Sequence, residues 1–374
     1  DRLGEAEKLA VQQASVIGRI FWDDALEALR DEGHMALPVL EAKEFIFTRL
    51  ESAFAGTMEY IFKHALLRDV TYETVLRRLR REYHALIAQW IEQNASERLG
   101  EFSGLIAEHY TLAEQYNLAS TWWEKSGDIA LRTGDFIAAE NAFELALEAA
   151  PEGDPLKLVE LERKLAAAIS PVQGAEKAEI VYRSALARLE GPAPTAVYTQ
   201  WQTVRLNILL GLLDALYFQH RPESMAELDE QTRALLDEVG SPKQQSDYYA
   251  RLGQMAFLQN QFRTSADSTN WAQKSLAYAQ ETLDIQLIAR QQFHLGFHFL
   301  WRRELEAAVP MIHTALAKAT ELRDSWLEIQ CLVYLTILFR FQGDSTQLGA
   351  LQPRVTDIAQ RVGNRSYIGV SQAN

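Results

Sequence analysis

Apolar residues recur every three to four positions along most of this chain, which is the spacing of helices that bury one face. The stretch WWEKSGDIALRTGDFIAAENAFELALEAAP, residues 122–151, shows the pattern, and Gly134 marks a break between two helices. Gly127 lies inside the first helix, where glycine costs about 1 kcal/mol relative to alanine. We therefore expect the second helix to come very close to the backbone at Gly127.

The same stretch has the residue spacing of a known repeat. Its signature positions are Trp123, Gly127, Ala139, Phe143, Ala146 and Pro151. The spacing resembles the tetratricopeptide repeat (TPR), a helical hairpin of about 34 residues. It departs from that pattern at Ser126, where leucine is usual, and at Ala130, where tyrosine is usual. In such a hairpin, small alanines fit a close crossing of the helices and Phe143 fills the space between them.

The repeat recurs further along the chain. Gly253 and Gly296 each follow a leucine, as in the leucine–glycine pair of the pattern. Residues 155–190 and 324–362 give weaker copies, and residues 195–239 contain two helical patterns without a clear register. Such hairpins cannot bury their apolar faces alone, so they stack. The sequence predicts a mainly α fold, a right-handed α-solenoid of about six helical pairs.

The concave surface of this solenoid is the candidate binding site, because the first helix of each pair lines it. We expect it to hold a peptide, a protein partner or a small effector. The repeat register assigns four aromatic side chains to this surface: Phe257, Phe293, Phe297 and Trp301. The alternative is that they fill the core between repeats; full burial of Phe293, Phe297 and Trp301 would exclude the groove.

The beginning of the chain predicts a different fold. It reads as two helices separated near Gly18, then a helix leading into a strand, a turn at Ala55-Gly56 and a second strand, EYIF. Helices over 64–78 and 81–97 follow. Three helices and a β-hairpin form a winged-helix arrangement.

Composition narrows the function classes. The chain has 374 residues, 48% hydrophobic and 24% charged, which is typical of a globular protein. Its formal net charge of −14 argues against general nucleic-acid binding. The longest apolar run, 206–218, is shorter than the roughly 20 residues that span a bilayer. The single cysteine, Cys331, favours a reducing, cytoplasmic compartment.

A family resemblance rests on three stretches: ASVIGRIFW, EYIFKHALLRDVTYETVLRRLRREYHALIAQWIE and IAEHYTLAEQYNLASTWWEKSGDIALRTGDF. They resemble the region after the ATPase module of bacterial STAND-type signalling proteins, above all those joined to a class III adenylate/guanylate cyclase domain or a transcriptional regulator. The resemblance and the repeats together imply a winged-helix domain at 1–80, connecting helices at 81–117 and a TPR-like solenoid at 118–374. Since both ends fall within helical patterns, we expect a piece of a longer protein, truncated at the C-terminal end of the solenoid.

The resemblance implies a non-catalytic sensor and scaffold region. The solenoid would bind a protein, peptide or small effector, and the winged helix would dock on the ATPase module of the parent protein. The chain lacks the G-x-x-x-x-G-K-[ST] phosphate-binding loop. Any ATPase or cyclase activity would therefore lie outside this chain, and we expect no cofactor.

Few residues suggest other chemistry. His294 and His298 have the i, i+4 spacing of metal ligands, but no third ligand is evident nearby in sequence, so we expect structural or surface roles. His64 and His109 are single residues in helical patterns. We expect Cys331 to be a buried small hydrophobe. We predict no catalytic, cofactor or metal residues.

The dense basic run RRLRRE is the candidate contact patch, with Arg77, Arg78, Arg80 and Arg81. One interpretation is a DNA contact beside a winged helix, as in a transcriptional regulator whose TPR domain binds an inducer. The other is a solvated helix face. The third helix of the winged domain offers Lys43 against Glu41 and Glu44, which is poorly suited to base contacts. This favours the sensor interpretation, with nucleic-acid binding unlikely.

Overall fold

The computed structural model describes residues 3–29, 32–191 and 193–362. These residues form 18 α-helices and three β-strands. They divide into two compact units. The N-terminal unit comprises the described residues up to Ser126 together with Leu145–Pro151, and the C-terminal unit comprises Gly127–Glu144 together with those from Glu152 onward.

The N-terminal unit contains a small antiparallel sheet surrounded by helices. Its elements are α1 (Glu5–Ile17), β1 (Ile20–Trp22), α2 (Asp23–Glu27), α3 (Leu37–Ala42), β2 (Ile46–Thr48), β3 (Glu59–Phe62), α4 (Ala65–Thr74), α5 (Arg77–Asn94) and α6 (Ser103–Leu112). The strands follow the order β1-β3-β2. The sequence predicted the β2–β3 hairpin but not β1, whose three residues are too short to show an alternating pattern.

Aromatic packing holds this unit together. Phe21 of β1 stacks on Tyr60 of β3 with ring centroids 5.6 Å apart, and Trp22 stacks on Trp90 of α5 at 5.7 Å. The Trp22 indole N–H donates to the buried Glu59 carboxylate over 2.9 Å. Strand β1 therefore contributes to the core of the unit as well as to its sheet.

The remaining helices are arranged as consecutive pairs. They are α7 (Tyr116–Thr133), α8 (Phe136–Glu148), α9 (Pro155–Gln173), α10 (Ala175–Arg188), α11 (Tyr198–Phe218), α12 (Pro222–Val239), α13 (Pro242–Gln259), α14 (Ala266–Glu281), α15 (Ile285–Trp301), α16 (Leu305–Glu321), α17 (Ser325–Gln342) and α18 (Ser345–Val362). From α9 on, each odd-numbered helix packs on the next helix and on the next odd-numbered helix. This confirms the predicted stacking of helical pairs in a mainly α fold.

The last five helices, α14 to α18, are joined by turns of one backbone type. A residue with left-handed φ ends a helix, and an acidic residue follows it: Leu283-Asp284, Arg303-Glu304, Arg323-Asp324 and Gly343-Asp344. The aspartates then accept a hydrogen bond from the backbone N–H three residues on, as Asp324 does from Leu327 over 2.9 Å. These N-caps fix where α15, α17 and α18 begin.

Candidate binding cavity

The C-terminal unit contains a cavity of about 1130 Å³ that is partly open to solvent. Its walls come mainly from the odd-numbered helices α9, α11, α13, α15 and α17. These are the first helices of their pairs. The cavity therefore lies against the helices that the repeat register places on the concave surface.

One wall of the cavity is completed by contacts between residues far apart in sequence. The rings of Phe136 in α8 and Trp326 in α17 meet edge to face, with centroids 5.3 Å apart. A Cβ added at Gly134 would lie 2.9 Å from the backbone nitrogen of Trp326. Gln286 of α15 donates to the Arg132 carbonyl oxygen over 2.9 Å. Within this unit, the turn between α7 and α8 therefore touches the helices of the last two pairs.

Aromatic side chains line part of the cavity. Phe257 and Phe293 are buried and Phe297 is half-buried. The Phe297 ring contacts Phe257 at 5.1 Å and Tyr334 of α17 at 5.2 Å between centroids. These rings therefore pack on one another and also face the cavity.

Trp301 differs from the other three groove candidates. It is 37% exposed, and it does not line the cavity. It contacts Phe297 and Phe341 at 6.2 and 6.3 Å. Because α15 ends at Trp301, its side chain lies at the edge of the repeat and not inside it.

Polar side chains line the cavity beside the aromatic rings. Arg251 of α13 pairs with Asp214 of α11 over 3.1 Å, and its Nη1 donates to Gln254 over 3.3 Å. The Arg251 Nε atom is buried and has no hydrogen-bond partner among the described residues. Arg290 of α15 lines the same cavity.

The two histidines of α15 have different partners. His294 Nδ1 lies 3.0 Å from Gln291 Oε1, and its pKa is held well below the usual value by burial and by Arg251, Arg290 and His298. Burial lowers the pKa of His298 to about 4, and its Nδ1 lies 3.3 Å from the Ser268 hydroxyl. Among the described residues, no group of three or more His, Cys, Asp or Glu side chains could hold a metal ion.

The repeat glycines lie at close helix crossings. A Cβ added at Gly127 would approach the Phe143 ring to 2.5 Å, and one at Gly296 would approach Ile312 to 2.7 Å. Gly253 faces His298 Nε2 at 3.2 Å and the backbone oxygen of Ser268 at 3.4 Å. The surroundings differ in detail, but at each of the three a neighbouring helix comes close.

The other signature positions are also accounted for. Ala139, Phe143 and Ala146 are fully buried, and Pro151 is half-buried. Trp123 donates from its indole nitrogen to Thr111 over 3.1 Å, within the N-terminal unit.

The basic run lies at the start of α5, and three of its four arginines meet acidic partners. Arg78 pairs with Glu82 over 3.2 Å, Arg80 with Glu73 over 3.4 Å, and Arg81 with Glu114. Arg77 is exposed. Lys43, just after α3, pairs with Glu7 over 2.7 Å. Most of these basic side chains are therefore engaged within the chain.

A buried histidine pair in the N-terminal unit was not predicted. His84 Nδ1 of α5 lies 2.8 Å from His109 Nδ1 of α6, and the Tyr72 hydroxyl lies 3.0 Å from His84 Nε2. Burial, with nearby Arg68 and Arg80, lowers the pKa of His84 to about 4; burial and His84 lower that of His109 to about 3. The two residues are 25 apart in sequence, so no local pattern could reveal the pair.

Comparison with known proteins gives structural matches only. No model of a known protein family matches the chain, and no curated protein matches its sequence. Each helix in the described part of the chain is too short or too polar to span a lipid bilayer.

Three solved structures resemble the fold. The Rap conjugation gene regulator of plasmid pLS20, solved with the Phr* peptide, has a TM-score of 0.53 at 12% identity over 79% of this chain and 76% of its own. Aspartyl phosphate phosphatase F from Bacillus subtilis has a TM-score of 0.52 at 12% identity over 90% and 83%. A STAND protein with a tetratricopeptide repeat sensor from Pyrococcus horikoshii has a TM-score of 0.43 at 15% identity over 96% of this chain and 57% of its own. This chain thus spans little more than half the length of the Pyrococcus protein, and the first two likenesses support a TPR-like helical repeat fold.

Proposed function

We propose that this chain is the non-catalytic sensor and scaffold region of a cytoplasmic multidomain signalling protein. Its C-terminal unit binds a peptide, a segment of a partner protein or a small effector. The observation that carries the proposal is the 1130 Å³ cavity, lined by aromatic and polar side chains from successive first helices. Ligand cavities in proteins are typically about 300–1,000 Å³, largely apolar, with a few convergent polar groups.

The N-terminal unit is proposed to be a winged helix that docks on an ATPase module of the parent protein. The succession of helices with a three-stranded antiparallel sheet supports this, as do the exposed Leu66 and Val70 on one face of α4. By the sequence resemblance, the parent protein is of the STAND type with an adenylate/guanylate cyclase or another output domain.

DNA readout by this unit is the competing hypothesis. The ion pairs of Arg78, Arg80, Arg81 and Lys43 within the chain support docking over DNA contact. A gel-shift assay at low salt tests it, because a DNA-binding module shows at least weak, salt-sensitive binding. We expect no shift; a salt-sensitive shift that the Arg77→Gln variant abolishes would favour the transcription-factor interpretation.

An array of random hexapeptides tests the cavity. We expect the full chain to bind a subset of the peptides, and the Phe297→Ala and Tyr334→Ala variants to bind them about fivefold or more weakly, because an aromatic contact contributes about 1 kcal/mol. Tyr198→Ala is the matched control, since Tyr198 is an exposed aromatic residue of α11 that does not line the cavity. Equal binding by wild type and both cavity variants would contradict the proposal.

A further inference from the structure

The polar part of the cavity contains hydrogen-bond donors that have no partner among the described residues. Arg290 is exposed, lines the cavity and forms no ion pair with a described residue, and the buried Arg251 Nε has no hydrogen-bond partner among the described residues. A buried donor such as Arg251 Nε is unfavourable while it has no partner. A ligand that offers oxygen acceptors at this point would provide that partner.

Three acidic groups in or near the cavity are already engaged or disfavour charge, and the exposed Glu176 lines the cavity as well. Asp214 is paired with Arg251, and Asp324 accepts from Gln286 over 2.7 Å and caps α17. Burial raises the pKa of Asp247, although Arg251, Arg290 and Lys243 oppose that rise. Arg290 is therefore the cationic side chain left for an incoming ligand.

The effect of the arginines reaches the cavity interior. His294 lies one turn after Arg290 on α15; burial is the main cause of its lowered pKa, and Arg251 and Arg290 lower it further. Two guanidinium groups close to one buried imidazole disfavour a further positive charge there and favour a negative one.

Next to this polar region lies the aromatic region. The Phe297 and Phe293 rings meet Tyr334 with centroids 5.2 and 5.5 Å apart. Arg290 and Phe293 are three residues apart on one helix, so they lie on the same face. An anionic group bound at Arg290 would therefore have an apolar surface beside it.

We propose that the cavity binds a ligand that carries a carboxylate next to an apolar group. The carboxylate pairs with Arg290 and accepts from Arg251 Nε, and the apolar group packs on Phe297 and Tyr334. This inference rests on the proposed function and gives the ligand its chemical class. Two sources share that chemistry: a short peptide with a free C-terminal carboxylate and a small carboxylic acid.

Two pairs of probes separate the contribution of the carboxylate charge to binding from that of the apolar group. We would titrate the full chain with 2-naphthylacetate and 2-naphthylacetamide, and with acetyl-Ala-Ala-Leu-Phe as its acid and its amide, using calorimetry or ligand-observed NMR. At least one acid should bind about tenfold or more tightly than its amide, because a hydrogen bond to a charged group contributes about 1.5–3 kcal/mol. The probe pair whose acid binds more tightly than its amide identifies the source of the ligand, a small carboxylic acid or a peptide C-terminus. A preference for the acid in both pairs also supports the proposal.

The Arg290→Gln variant is the decisive comparison. It should bring the acid to within about twofold of the amide and leave amide binding unchanged. The matched control is Arg302→Gln, just after the same helix and outside the cavity, which should behave as wild type. Circular dichroism checks that each variant folds.

The outcomes distinguish the two proposals. Equal affinity for acid and amide in wild type, or unchanged acid preference in Arg290→Gln, would overturn the carboxylate assignment and leave the cavity as a binding site. Absence of binding by all four probes would also overturn the assignment, and the peptide array then decides whether the cavity binds peptides at all.

Discussion

At the scale of single residues, the buried histidine pair gives the N-terminal unit an expected sensitivity to acid. We assign the neutral tautomers that satisfy both hydrogen bonds: Tyr72 O–H donates to His84 Nε2, and His84 Nδ1–H donates to His109 Nδ1. The other nitrogen of His109 is left to donate to the backbone of Ile17. Protonating His109 would place two N–H groups against each other.

Stability should therefore fall as the pH falls from about 6.5 to about 4. Because the folded pKa of His84 is about 4 and that of an unfolded histidine about 6.5, the unfolded state binds more protons in this window. Each such histidine adds up to about 1.4 kcal/mol of lost stability per pH unit. Urea denaturation at several pH values measures this, and His109→Gln should show a shallower pH dependence than wild type.

His64→Gln is the control, since His64 is exposed. The buried His294 and His298 of the C-terminal unit contribute in the same direction, so the difference between variants is the relevant quantity. A His109→Gln profile parallel to that of wild type would show that the pair does not control the pH dependence.

At the scale of helices, the structure explains why glycine is tolerated inside α7. Gly127→Ala would add a Cβ only 2.5–2.8 Å from three carbon atoms of the Phe143 ring, and overpacking of this kind costs about 1–3 kcal/mol. Gly349 of α18 has no atom within 4 Å of an added Cβ. Gly349→Ala should therefore stabilise the protein by up to about 1 kcal/mol through helix propensity alone.

Opposite signs for these two substitutions, measured as changes in the free energy of unfolding, are the expected result. A second test is the double variant Gly127→Ala with Phe143→Leu, which should recover part of the loss. If Gly127→Ala is neutral or stabilising, the helix crossing is looser than the structure indicates.

At the scale of the C-terminal unit, contacts between its first and last helical pairs depart from a purely nearest-neighbour solenoid. Phe136 and Trp326 lie 190 residues apart and meet at 5.3 Å. A double-mutant cycle with Phe136→Ala and Trp326→Ala should give a coupling of about 0.5–1.5 kcal/mol. Additive effects would mean that the two ends of the unit are independent.

Phe136→Ala paired with Phe299→Ala is the control cycle. Phe299 packs in the core of the last helical pairs and makes no ring contact with Phe136 among the described residues. Its coupling with Phe136 should be close to zero, because distant residues without shared partners are additive.

The sequence by itself determined the helices, their pairing and the close crossing at Gly127, because these depend on periodicity and on residue size at fixed spacing. The repeat register also assigned Phe257, Phe293 and Phe297 to the inward face, and these three side chains line the cavity, while a binding role for them stays a prediction. It assigned Trp301 to the same surface, whereas the structure leaves that side chain at the end of α15 outside the cavity.

Only the tertiary structure decided which side chains meet across helices. The sequence places Arg251 in α13 and Arg290 in α15. That both side chains line one cavity depends on how the helical pairs stack. The same holds for strand β1, for the His84–His109 pair and for the contact of Phe136 with Trp326. In each case the contacting residues are far apart in sequence, and the sequence around one residue contains no sign of its partner. Long-range packing brings them together, and a short stretch of sequence cannot show it.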